Sequence, residues 1–197
     1  MPTPANAARG APRADNRLPL ILGAAARLFR DKGFREASMR DIAGAVGMLP
    51  GSLYYHFASK EELLVAVYAE GVRRIKEAVL PALAADADPW TRLEAVCAAH
   101  LEALLEDSDY GQVVIRVRPD DAPEVASRLV ALRDEYERTF SRSIDMLPLP
   151  PRTDRRALKL MLLGALNWSQ TWYRPGKDSP QVLARHFVRL LRDPLDA

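Results

Sequence analysis

The residues best suited to chemistry in this 197-residue chain lie between Ser38 and Lys60. From Ile42 to Lys60 there is no carboxylate, while Ser52, Tyr54, Tyr55 and His56 crowd into one short segment and Lys60 follows it. A hydroxyl, two phenols and an imidazole supply hydrogen-bond donors and acceptors on aromatic frames without negative charge. That mixture suits base edges and phosphate oxygens, which carboxylates would repel. Elsewhere the chain offers little reactive chemistry. It has no nucleophile–base pattern, phosphate-binding glycine loop or metalloprotease pattern. Cys97 and His100 share a helical face, but two ligands do not make a zinc site, so no metal is expected. Cys97 reads as a small buried hydrophobe, and as the single cysteine it excludes an internal disulfide.

The elements that hold the Ser38–Lys60 residues follow from local signals. Leu18, Ile21, Leu22, Ala25, Leu28 and Phe29 recur at helical spacing and predict a first helix over 17–31, closed by Gly33 in a left-handed cap. Ser38 with Asp41 three residues later opens a short helix near 38–45. Gly47 breaks it, and Pro50, suited to a first turn, opens another that carries Ser52 to Phe57. Ile42, Ala43, Val46 and Leu53 are small or aliphatic where two helices must cross closely. The pattern is a helix-turn-helix. Ser59-Lys60-Glu61-Glu62 is a capping box in which Glu62 reaches back, and the helix it starts runs to about Leu80, before Pro81. Leu53 and Phe57 read as core, and Tyr54 as partly core or exposed.

The remainder is helical as well: roughly 89–107, 109–118, Pro123 to Met146, Asp154 to Tyr173 and Pro180 to about Arg192. Gln112 to Val117 is the one strand candidate, and it reads equally as a buried helix. The fold class is therefore all-α with about nine helices. Three divisions are expected: a loose arm over 1–16, a DNA-binding unit over 17–62 and a second helical unit over 63–197. Charge divides the same way. Residues 1–60 carry 9 Lys and Arg against 4 Asp and Glu, whereas 61–197 carry 19 against 22. A basic front meets a polyanion; the acidic remainder stays off it. Arg9, Arg13 and Arg17 read either as a basic arm on phosphates or as a solvated tail. No apolar run approaches a membrane span and the start lacks a secretory apolar core, so a cytoplasmic protein is expected.

The segment Ser38-Met39-Arg40-Asp41-Ile42-Ala43, Gly47, Gly51-Ser52-Leu53-Tyr54-Tyr55-His56-Phe57 and Ser59-Lys60-Glu61-Glu62-Leu63 resembles the DNA-binding signature of TetR-type transcriptional repressors. The resemblance implies a homodimer that binds double-stranded operator DNA and is released by a small-molecule inducer held in the divergent C-terminal part. It implies no catalysis and no cofactor. Carried over position by position, it puts Ser38 on phosphate, Arg40 on a base edge or phosphate, and Ser52 and Tyr55 on base edges. Tyr54, His56 and Lys60 would hold phosphates. Leu49 departs from the family pattern, which usually has Ser or Thr there, so a cap or phosphate contact is missing. A helical domain that binds small molecules or acts as an enzyme, with a relic helix-turn-helix, is the rival reading.

In the C-terminal part, Leu158, Met161, Ala165, Trp168 and Trp172 form one stripe, and Leu183, Phe187, Leu190 and Leu191 another. Paired across a twofold axis they predict dimerisation through the last two helices; alternatively both complete the monomer core. Asn167 to Gly176 mixes aromatics, amides and Arg174. It is similar to a segment of the acyl-CoA-sensing subset of the family, which controls lipid, steroid or aromatic-acid breakdown. That resemblance implies an acyl-CoA ligand, with Arg116, Arg118, Arg174 and Lys177 on its phosphates. Val113, Val114, Leu132 and Leu162 would line the acyl tunnel beside Trp168 and Trp172. An aromatic-stapled helix end at the dimer interface is the other reading. Any signal between the two parts is expected to run through the helix Lys60 to Leu80.

Overall fold

A computed structural model describes residues 17–106 and 108–192. The expected arm, with Arg9 and Arg13, lies outside the described residues. Among the described residues there are nine α-helices and no strand: α1 (Leu18–Lys32), α2 (Met39–Ala45), α3 (Pro50–His56), α4 (Lys60–Ala84), α5 (Pro89–Leu105), α6 (Asp109–Arg116), α7 (Ala126–Asp145), α8 (Arg155–Trp172) and α9 (Pro180–Arg192).

Local chemistry sets these boundaries. Gly33 ends α1 at φ +82° and ψ 158°, an extended backbone with positive φ rather than the left-handed cap expected. A side chain there would be strained, so glycine is required. Ser38 caps α2 and Asp41 returns the bond to the Ser38 amide, completing the predicted box. Gly47, at φ +63°, makes the turn into α3. Ser59 caps α4 by accepting from the Glu62 amide. The Glu62 carboxylate does not reach back as expected; it pairs with Arg128 of α7 instead. Asp88, Ser108 and Asp154 cap α5, α6 and α8.

One open alternative is settled and one boundary moves. Gln112–Val117 belongs to a helix: α6 ends at Arg116, and its apolar residues pack against α1 and α4 rather than against a strand. The fourth helix does not stop at Leu80 but passes through Pro81 to Ala84. Pro81 is exposed and stands in the last turn, so its ring forfeits one hydrogen bond with almost no helix left to disturb.

The core has two connected parts. In the first, Ile21, Ala25 and Phe29 of α1, Ile42 and Ala43 of α2 and Leu53 of α3 close on Leu63 and Leu64 at the start of α4. In the second, α5 is central, packed by α4, α7, α8 and α9. Leu93, Val96, Cys97 and Leu101 of α5 are fully buried there. The α9 stripe mostly completes this monomer core, with Leu183 and Leu191 buried and Leu190 exposed. The α8 stripe splits. Leu158 is buried, whereas Leu160, Met161, Trp168 and Trp172 remain exposed along one side with Gly164.

The two parts meet at more than α4. α6 lies against both α1 and α4, and Arg30 of α1 pairs with Asp109 of α6. At Gly71 of α4 a Cβ would stand 2.6 Å from Val114 Cγ2 and 2.8 Å from the Tyr110 carbonyl oxygen of α6. Only glycine allows so close an approach. Arg74 covers the Tyr110 ring at 4.2 Å. On the far side, Arg35, in the α1–α2 turn, donates to the Asp120 carbonyl at 3.2 Å and lies 3.7 Å from the Asp121 carboxylate. The Asp120–Asp121 pair therefore braces the first part as well as facing solvent.

Candidate nucleic-acid interface and ligand cavity

α3 is anchored by one side chain. Leu53 is fully buried, while Ser52, Tyr54 and Tyr55 on either side are exposed and His56 is half-buried. Tyr55 is 91% exposed and Tyr54 52%, so neither phenol belongs to the core. The Tyr55 and His56 rings meet edge to face at 6.2 Å. Phe57, expected in the core, packs against it while half-buried. Arg40 on α2 is exposed, as is Ser38, whose oxygen accepts from the Asp41 amide and whose proton stays free to donate. Leu49 is 76% exposed and α3 has no side-chain cap, as its departure from the pattern predicts.

Lys60 does not join this set. Its ammonium donates to the carbonyls of Phe34, Arg35 and Ala37 at 2.8, 3.1 and 3.0 Å and lies 4.5 Å from the centre of the Phe34 ring. An ammonium has three protons, and all three are used. The expected phosphate contact is replaced by an internal one: Lys60 ties the start of α4 to the turn between α1 and α2.

A cavity of about 650 Å³ opens between α4, α5, α6, α7 and α8. Of the residues expected to meet a ligand, Val114, Arg116, Arg118 and Trp168 line it. The others do not, each for a physical reason. Val113 and Leu162 are packed into the core. Leu132 faces a separate groove between α4 and α7. Trp172 lies edge to face with Phe187 of α9 at 6.3 Å. Arg174 is exposed and donates to the neighbouring Tyr173 carbonyl, and Lys177 is exposed beyond the end of α8. Arg116 and Arg118 make no ion pair among the described residues. Arg133, also in the wall, is engaged by Asp134 and Glu137.

Several lining residues were missed, among them Tyr68, His100, Tyr136 and Asn167. Two carried a signal, a polar side chain on an otherwise apolar helical face: His100 on α5 and Asn167 on α8. His100 is 2% exposed. Its Nδ1 lies 2.6 Å from the Tyr136 hydroxyl and its Nε2 3.0 Å from Asn167 Oδ1. Burial pulls the imidazole down to about 4, against a partial lift from the Asn167 bond. It therefore stays neutral near pH 7. Burial likewise pushes the Tyr136 hydroxyl and the Cys97 thiol up, so both stay protonated and Cys97 is inert.

The His100 shift has a consequence for stability. The unfolded imidazole binds a proton near pH 6.5 and the folded one only near 4. Acid therefore favours the unfolded chain across that window, and stability is lost as pH falls from 6.5 toward 4. The loss amounts to about 3 kcal/mol at the lower end. Urea unfolding at pH 7.0, 5.5 and 4.5 reads it, and His100→Gln should flatten most of the slope. An unchanged slope in that variant would assign the acid sensitivity to other groups.

Comparison with known proteins matches both parts. Residues 21–67 fit the family model described as bacterial regulatory proteins, tetR family. Residues 86–195 fit a tetracyclin repressor-like C-terminal domain. The chain is 30% identical over 177 residues to the transcriptional repressor KstR2 of Mycobacterium tuberculosis, covering 85% of this chain and 86% of that protein. It is 32% identical over 126 residues to the transcriptional activator FasR of Mycolicibacterium smegmatis, covering 61% and 58%. Among solved structures, AibR in complex with isovaleryl coenzyme A and operator DNA superposes with a TM-score of 0.75. That match has 26% identity over 88% of this chain and 97% of that one.

Proposed function

The chain belongs to the TetR family of bacterial regulatory proteins, and from that premise we propose a homodimeric repressor released from a pseudo-palindromic operator by an acyl-CoA thioester. It is a DNA-binding transcriptional regulator and not an enzyme. The observation that carries the reading is the α3 surface, where one buried leucine holds an exposed, carboxylate-free face. In the proposed complex α3 enters the major groove, with Ser52 and Tyr55 on base edges. Arg40, Ser38, Tyr54 and His56 contact the backbone or adjoining edges. The division follows the same lines, with residues 17–62 reading DNA in the cytoplasm and 63–197 holding ligand and partner.

Three facts favour an acyl-CoA ligand. The cavity is of ligand size, its α6 end carries two arginines without ion pairs among the described residues, and AibR, a structural neighbour, was solved with isovaleryl coenzyme A. The acyl group would lie inside, and the phosphates of the much larger CoA part at Arg116 and Arg118. Such a ligand releases DNA only by binding one conformation better than the other. The contacts available to carry the change are α6 on Gly71 of α4 and on α1, and the Arg35 brace, in addition to α4 itself.

The partner protomer would cover the exposed side of α8. Leu160, Met161 and Trp168 are each more than half exposed there, beside Gly164, where a second helix can approach closely. Met161→Glu should halve the mass measured by light scattering; a persistent dimer would place the interface elsewhere. The function itself is tested by a gel shift on DNA flanking the protein's own gene at two salt concentrations. Sequence-selective, salt-sensitive retardation supports it. No selective shift on any flanking fragment favours the small-molecule-binding alternative with a relic helix-turn-helix.

A further inference from the structure

The wall of the main cavity is apolar where Tyr68, Ile75, Leu104, Leu129 and Leu163 form it; besides Arg116, Arg118 and the Arg133–Glu137 pair, its polar lining includes an uncharged hydrogen-bonded row. Asn167 Oδ1 only accepts, so His100 Nε2 must donate to it across 3.0 Å. A neutral imidazole then has its lone pair on Nδ1, which accepts from the Tyr136 hydroxyl at 2.6 Å. The His100 ring is held between Tyr136, stacked at 5.8 Å, and the edge of Phe140 at 5.4 Å. The row thus has a fixed direction, Tyr136 to His100 to Asn167. Its free end is the Asn167 amide nitrogen, which has two protons and no partner among the described residues.

We propose that Asn167, positioned by His100 and Tyr136, reads an uncharged carbonyl oxygen of the cavity's ligand, such as that of a thioester, ester or ketone. Asn167 is exposed where it lines the cavity, so its free amide N–H is open to water; a neutral acceptor replaces that water, whereas a hydrocarbon seated over it leaves the donor unpaired. The row carries no charge, because its imidazole is neutral, so it does not call for an anion. Anionic groups are served by Arg116 and Arg118 elsewhere in the wall. Asn167 touches the ligand; His100 and Tyr136 are positioning residues that fix which way the amide faces. The inference rests on the reading of this cavity as the inducer site, and it deepens that reading by naming the group that discriminates.

The test compares hexanoyl-CoA with hexyl-CoA, a thioester and a thioether differing in one carbonyl, by titration calorimetry on the full chain. The thioester should bind at least about tenfold more tightly to the unsubstituted protein. Asn167→Leu, similar in size but without the amide, should bring the ratio near one, and Tyr136→Phe should lower it with the cavity intact. Equal affinities in the unsubstituted protein overturn the proposal. If neither CoA compound binds, the acyl-CoA reading fails, and the carbonyl reading is decided by cyclohexanone against methylenecyclohexane. The ketone must shift the Asn167 side-chain amide in 15N NMR more than the alkene does; equal shifts overturn it. The same spectra report the His100 tautomer, and a proton on Nδ1 would reverse the row and also overturn it.

Discussion

Tyr55→Ala should weaken operator binding by about 10- to 100-fold while leaving the fold intact, because these two properties depend on opposite faces of the same helix. The side chain is 91% exposed, so its removal exposes no core and changes stability by no more than about 0.5 kcal/mol. The helix itself is held by Leu53, which is fully buried on the side opposite Tyr55. A base-edge contact is worth about 1–3 kcal/mol of discrimination, and this sets the size of the loss. Tyr55 is neutral, so the slope of log affinity against log salt should not change, and binding to unrelated DNA should stay within about twofold. Fluorescence anisotropy on operator and scrambled duplexes at three salt concentrations separates these terms. Equal losses on both duplexes would make Tyr55 a backbone contact. No loss on either would move the reading surface off α3.

How far this interface was legible before the fold was known depends on how local each signal is. The caps of α2 and α4 lie within four residues of sequence, and the buried–exposed alternation around Leu53 within three, so periodicity and capping rules reach them. Pro81 was misjudged, and Gln112–Val117 stayed open between strand and buried helix, because the outcome depended on context: a helix about to end in one case, packing of α6 against α1 and α4 in the other. The cavity was the least legible part. Its residues come from five helices, and a face such as His100 and Leu104 on α5 reads like any core stripe until the space beside it is seen. Val113 and Val114 show the limit directly, since neighbours of identical type point one into the core and the other into the cavity. The informative anomaly was polarity on an apolar face, at His100 and Asn167. It marks the site because buried His100 must find a partner, and exposed Asn167 supplies one.

Lys60 is the residue whose role changed most, and its substitution carries the second large effect. Lys60→Met keeps much of the side chain's length and its apolar stem but removes the ammonium. The carbonyls of Phe34, Arg35 and Ala37 then lose a donor they share, and the contact over the Phe34 ring is lost with it. Hydrogen bonds from a charged donor contribute about 1.5–3 kcal/mol each when counted alone. Three that share one partly solvated ammonium are not additive, so the net cost is about 2–4 kcal/mol. For a chain of this size that lowers Tm by roughly 5–15 °C. The loss should be concentrated in the first part of the protein. Hydrogen exchange would show earlier opening of the 33–38 turn and the start of α4, with α5 unchanged. Operator binding, measured well below the new Tm, should keep its salt slope, because no proton of Lys60 remains for a phosphate. A slope smaller by about one, with stability unaffected, is the opposite outcome; it would return Lys60 to the DNA contacts. A methionine that costs stability at unchanged slope identifies the lysine as the tie that holds the turn before α2 against α4, and so sets where α3 is presented.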